Sequence, residues 1–174
     1  MNGCVLAIDP GNELSAVVLV QVETYIPIMF AKLPNEELME MLVGLCDKAN
    51  YCVIEMIGHY GTGMAVGKMA FNTWVWIGRI AERILGQGLH PIYILRQTIK
   101  AHLCGNANAK DENVVRALKD RFREKGTKKC PEFFCGASAD VWLVFALAVT
   151  YIDQQKGAGP DPGAAKQPDV GPSK

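Results

Sequence analysis

Cys4-Val5-Leu6-Ala7-Ile8-Asp9-Pro10-Gly11-Asn12 is the stretch on which the reading of the whole chain turns. The apolar run through Ile8 fits a strand buried on both faces, and Pro10-Gly11 demands a turn directly behind it. The strand therefore hands Asp9 to the edge of a sheet. Outward from there, Ser15–Val22 and Tyr25–Ala31 are rich in β-branched and apolar residues, with only Glu23-Thr24 between them. That predicts two antiparallel strands and, with the first, a three-strand meander.

Asn35 is placed to cap a helix through Cys46, with Glu36 and Glu37 in the favourable first turn and Leu38, Met41, Leu42 and Leu45 on one face. Tyr51-Cys52-Val53-Ile54 returns as a buried strand ending at Glu55. A glycine-broken stretch (Gly58, Gly61, Gly63) leads into a long helix over 64–86, where Met69, Trp76, Ile77, Ile80 and Ile84 supply helical spacing. Its aromatics Phe71, Trp74 and Trp76 read as core or dimer surface. Pro91–Leu95 reads as a fifth strand and Arg96–Leu103 as a short helix. Asn108 or Asp111 opens a further helix, and Ser138 caps a last one.

This order predicts an α/β fold: a mixed five-stranded sheet, made of the meander plus two parallel strands reached by helical crossovers, flanked by helices. One domain spans residues 1–155, and the Gly/Pro-rich tail 156–174, with hardly an apolar anchor, is expected to be disordered. At 174 residues and 49% hydrophobic content the chain can bury one core without disulfide staples. The first residues lack a charged n-region and a long apolar h-region, and no apolar run approaches about 18 residues, so a cytoplasmic protein with no membrane partner is expected.

Six cysteines without a secretory signal read as reduced, mostly buried thiols. Zinc held by Cys130, Cys135, His102 and Cys104 is the competing reading. The formal net charge of zero hides an uneven distribution. Residues 1–60 carry eight acids against Lys32 and Lys48, whereas residues 61–135 carry thirteen Lys and Arg against six acids. An acidic half with candidate metal ligands and a basic half able to meet phosphates suit a metal-dependent nuclease; solvated basic helix faces are the plainer alternative.

Three acids stand where element ends can bring them together: Asp9 after the first strand, Glu55 after the fourth, and Asp140 near the start of the last helix. If strands one and four are adjacent and parallel, Asp9 and Glu55 emerge on one edge. Converging carboxylates repel one another unless cations join them, and oxygen-only ligands point to magnesium or manganese. Two such ions can activate water and stabilise a leaving 3′ oxygen in phosphodiester cleavage.

Leu6-Ala7-Ile8-Asp9-Pro10-Gly11 resembles the first-strand motif of RuvC-type Holliday junction resolvases, members of the ribonuclease H-like superfamily. Val53-Ile54-Glu55 resembles their second acidic strand, and Ala139-Asp140-Val141-Trp142 with Ala146-Leu147-Ala148 their last catalytic helix. Tyr60 through Trp76-Ile77-Gly78-Arg79, and Ala109-Lys110-Asp111, are similar to bacteriophage-encoded members, whose setting would be the host cell cytoplasm. The resemblance covers roughly residues 3–152. It implies a ribonuclease H-like fold, a homodimer, and nicking of four-way DNA junctions with Mg2+ or Mn2+. Asp9, Glu55 and Asp140 map onto the family's metal ligands, and Lys110 onto a basic position expected near the scissile phosphate, where it would neutralise developing charge. Lys68, Arg79, Lys100 and Lys119 are the residues expected to grip DNA arms.

Two positions depart from the family. An acid or histidine is common one helical turn before the last Asp, but Ala137 stands there. Asp111 reads first as an ordinary helix-start residue, and as a candidate substitute ligand second. Gly58 takes the place of an aromatic that wedges against unpaired bases, leaving His59 or Tyr60 for stacking on DNA or for a plain surface loop. A junction-binding or single-strand-binding protein with an impaired site is the reading Ala137 motivates. RNA or flap substrates stay open alongside four-way junctions, since phosphate recognition is shared among them.

Overall fold

The computed structural model describes residues 2–58, 68–122, 134 and 138–157. In chain order these form β1 (Cys4–Asp9), β2 (Leu14–Gln21), β3 (Pro27–Pro34), α1 (Asn35–Cys46), β4 (Tyr51–Met56), α2 (Lys68–Leu85), β5 (Pro91–Leu95), α3 (Arg96–Cys104), α4 (Asp111–Phe122) and α5 (Ala139–Lys156). The five strands make one sheet in the order β3-β2-β1-β4-β5. β1 pairs antiparallel with β2 and parallel with β4, β2 pairs antiparallel with β3, and β4 pairs parallel with β5. The mixed sheet expected from the sequence is the one observed.

β1 sits at the centre because its run is apolar on both sides of the pleat, and successive side chains point to opposite faces. Val5 and Ala7 join Val53, Ala16 and Val18 under α5, α3 and α4. Leu6 and Ile8 join Cys52, Ile54, Val17 and Leu19 under α1 and α2. Helix α5 is buried continuously from Val141 to Asp153. That all-round burial explains its apolar sequence, since a helix covered on every side has no need of a polar face. Among the described residues no helix is long and apolar enough to cross a membrane.

Several local expectations shift. Tyr25 lies in a turn with φ 61°, left-handed backbone, so β3 starts at Pro27 rather than Tyr25. Asn35 does not cap α1 with its side chain. It is buried, accepts a hydrogen bond from Ser15 Oγ at 2.6 Å, and donates to the Gly11 carbonyl at 3.0 Å. It thus pins the turn behind Asp9 instead of ending a helix. Met41, Met69, Phe71 and Trp74 are exposed, leaving Ile77, Ile80 and Ile84 as the buried stripe of α2. Cys46 and Cys52 are buried free thiols, while Cys4 and Cys104 are partly buried. Cys130, Cys135, the start of the 64–86 helix and the tail beyond Gly157 lie outside the described residues.

Candidate active site

The geometry of the site follows from the parallel pairing. Ile8 pairs with Ile54 and Glu55 with Ile94, so β1, β4 and β5 end at one edge of the sheet. The pleat then aims Asp9 in line with Val5 and Ala7, and Glu55 in line with Val53, toward the face covered by α5, α3 and α4. Across the same face Ala16 of β2 pairs with both Asp9 and Lys32, which sets Lys32 two strands away. Three helices begin around this edge: α3 at Arg96, α4 at Asp111 and α5 at Ala139.

Arg96, the residue directly after β5, binds three acids at once. Its Nη2 donates to Asp9 Oδ2 at 3.1 Å and its Nη1 to Asp111 Oδ2 at 3.3 Å, and its Nε donates to Glu55 Oε1. Lys100 Nζ lies 2.9 Å from Asp111 Oδ1. That oxygen is buried and accepts no hydrogen bond, so the Lys100 contact is one of charge rather than of hydrogen-bond direction. Asp140 is paired with Lys32 and accepts a bond from Ser138 Oγ at 3.3 Å. It still lies near enough to raise the pKa of Asp9. An open cavity of about 570 Å³ is lined by Asp9, Glu55, Arg96, Lys100 and Asn108.

Burial is the main cause of the titration behaviour here. Glu55, 7% exposed, is pushed up to about 7 by desolvation and then by the Asp9 charge, with Arg96 pulling the other way. Asp9 is raised by burial, against the opposing pull of Arg96. Burial works against the charge of Arg96, yet Glu55, Asp9 and Asp111 together hold it above its ordinary value. Asp140, more exposed, is lowered by its bond from Lys32. Carboxylates of raised pKa crowded at one edge are a site with more negative charge than its own side chains neutralise.

Of the residues singled out by sequence, the edge gathers Asp9, Glu55, Asp111 and Lys100, with Asp140 beside them. Lys110 is exposed next to Asp111. Arg79 is elsewhere: it pairs with Glu36 at 3.2 Å and stacks over Trp76 at 4.0 Å on the α1–α2 side. Lys119 lies over the Trp142 ring at 5.2 Å. Lys68 opens α2, and His59, Tyr60 and Ala137 lie outside the described residues. His102, a ligand in the zinc reading, is instead joined to Asp153 at 2.7 Å. Sequence reasoning missed Arg96 and Lys32. Arg96 had a signal, because the fifth strand ends at Leu95 and any residue following it arrives at the same edge as Asp9 and Glu55.

The donors are hard oxygens, Asp9 and Glu55 among them are buried enough to hold raised pKa values, and a cation already bridges three of the acids. Magnesium or manganese therefore suits them in chemistry. In arrangement, they surround the Arg96 guanidinium: among the described residues no three Asp, Glu, His or Cys side chains stand as a ready-made ligand set.

No protein-family model matches the sequence, and no curated protein matches it. Solved structures do. The order β3-β2-β1-β4-β5 with parallel β1, β4 and β5 is the ribonuclease H-like α/β arrangement. Within that class, the chain is similar to Thermus thermophilus RuvC, with TM-score 0.64 and 16% identity over 90% of this chain and 98% of that one. A second structure, T. thermophilus RuvC in complex with a Holliday junction substrate, gives TM-score 0.68 and 14% identity over the same shares. At such identities the likeness is one of fold.

Proposed function

We propose that the chain is a metal-dependent endonuclease that nicks branched DNA, with four-way junctions as its substrate. The observation that carries the reading is the gathering of Asp9, Glu55 and Asp111 at the carboxyl edge of three parallel strands, with Asp140 on the adjoining helix. Mg2+ or Mn2+ bound there would activate water and stabilise the leaving oxygen. The similar RuvC structure that holds a Holliday junction substrate supports the choice of substrate.

Asp9, Glu55 and Asp140 act as ligands, and Asp111, sharing Arg96 with two of them, takes the fourth position that Ala137 leaves without an acid. Lys100 and Lys110, one beside Asp111 in space and one beside it in the chain, neutralise the phosphate. Two nicks across a two-fold symmetric junction need two sites related by that symmetry, so the active form is a homodimer. Light scattering that returns about 38 kDa, twice the 19.0 kDa chain, supports this, and a single-chain mass with junction present rejects it.

One observation favours a second reading, a junction-binding protein that does not cut: the guanidinium of Arg96 fills the centre of the acid cluster. Incubation of a labelled four-way junction with Mg2+ and with Mn2+ separates the two. Nicks that vanish in Asp9→Asn support the nuclease; binding without nicks under both metals supports the binding protein.

A further inference from the structure

Among the described residues Arg96 is the only ion-pair partner of Asp9 and Glu55; Lys100 meets Asp111, and Lys32 meets Asp140 and reaches Asp9 only as a more distant charge. Each of its three nitrogens is committed to a different acid. A magnesium ion needs its oxygens at about 2.0–2.1 Å in a near-octahedral shell, and a guanidinium about 3 Å from those oxygens occupies the same space with like charge. Metal and Arg96 therefore exclude each other from these carboxylates.

The side chain also has somewhere to go. It is 37% exposed and borders the open cavity that Lys100 and Asn108 also line. A planar fork of N–H donors matches a phosphate as well as it matches a carboxylate. The phosphodiester backbone that would lie against this edge is such a partner, and it brings the charge that Arg96 loses when it leaves the acids.

We propose that Arg96 is an exchangeable counter-cation: it holds the acid site closed to divalent metal until a DNA phosphate draws it off the carboxylates. The proposal rests on the metal-site reading above. It makes metal and DNA binding mutually dependent, because each ligand favours the same displaced position of one side chain, and such coupling is reciprocal. Arg96 is thus a positioning residue that switches partner from acid to phosphate.

Calorimetric titration of Mn2+ into the full chain tests this, alone and with a four-way junction made uncleavable by phosphorothioate linkages. Arg96→Gln is expected to bind Mn2+ without DNA about tenfold tighter than the natural chain, and to gain less from the junction than the natural chain gains. A phosphate that merely adds a metal ligand would raise affinity equally in both proteins, so equal gains overturn the proposal. So does an Arg96→Gln affinity at or below that of the natural chain. Arg96→Lys, checked for folding by circular dichroism alongside Arg96→Gln, guards against a collapsed site. Its ammonium cannot span three acids, so it too must bind Mn2+ more tightly than the natural chain, and an unchanged affinity counts against the proposal. Absence of Mn2+ binding in every protein, with and without junction, overturns the metal site itself; binding that is present but indifferent to Arg96 overturns only the exchange.

Discussion

Helix α5 runs from the sheet edge where Arg96 meets Asp9, Glu55 and Asp111 to a second buried carboxylate, Asp153, and these two places lie in opposite electrostatic settings. Near its C-terminus Asp153, 2% exposed, accepts from Arg121 through both carboxylate oxygens at 2.5 and 2.8 Å and from Tyr25 Oη at 2.8 Å, and it is joined to His102 Nε2 at 2.7 Å. Three side chains serve one carboxylate. Burial alone would raise its pKa, but those bonds hold it far below the ordinary value. At the other end one guanidinium serves three acids, and the two most buried of them are raised instead. Donor excess makes a closed structural joint tying α3, α4, α5 and the β2–β3 turn. Acceptor excess leaves a site that calls for a cation from outside.

Breaking the closed joint should have the largest effect on stability. Asp153→Ala leaves Arg121 and Tyr25 without their buried acceptor and is expected to cost about 3 kcal/mol in urea denaturation. Asp9→Asn relieves crowding and should stay within about 1 kcal/mol of the natural stability, yet reduce cleavage by at least about a hundredfold. If Asp153→Ala were silent, or Asp9→Asn unfolded the chain, the two settings would not differ as described.

A pH series sharpens the same contrast. Glu55 has an ordinary value of 4.5 and a folded value of about 7, so between these the folded chain keeps a proton that the unfolded chain has released. Its contribution to stability is therefore present below about pH 4.5 and lost as pH rises toward 7. In metal-free buffer, Glu55→Gln should flatten the fall in melting temperature across that window, and saturating Mn2+ should flatten it in the natural chain by favouring the ionised form. Parallel curves for all three would contradict the raised value. The smallest effect belongs to Lys156, which donates to the Val22 carbonyl at 2.8 Å and lies over the Tyr25 ring at 4.3 Å. Lys156→Met is expected to cost about 1 kcal/mol with no change in cleavage.

The open site was far more legible in the sequence than the closed joint. Asp9 and Glu55 terminate apolar runs, and an acid at such a place has no packing reason to be there. Periodicity alone brings both to one edge once β1 and β4 are parallel. Arg96 opens the short helix after the fifth strand, where a charged residue has an ordinary surface explanation; only the ending of β5 at Leu95 hints otherwise. Asp153, His102, Arg121 and Tyr25 come from four separate elements, and no spacing along the chain links them. Asn35 shows the same limit on a smaller scale. Asn before an amphipathic run satisfies the capping rule, and its actual partners, Ser15 and Gly11, are set by tertiary contact.

Cleavage of a synthetic panel, comprising a four-way junction, a flap, plain duplex and an RNA–DNA hybrid, by the full chain with Mg2+ or Mn2+ decides whether this edge of the sheet cuts branched DNA. Metal-dependent nicks are expected in the four-way junction above all other substrates, abolished by chelator and by Asp9→Asn. Tight junction binding without a nick under either metal, in the natural chain and in Arg96→Gln alike, would contradict the nuclease reading.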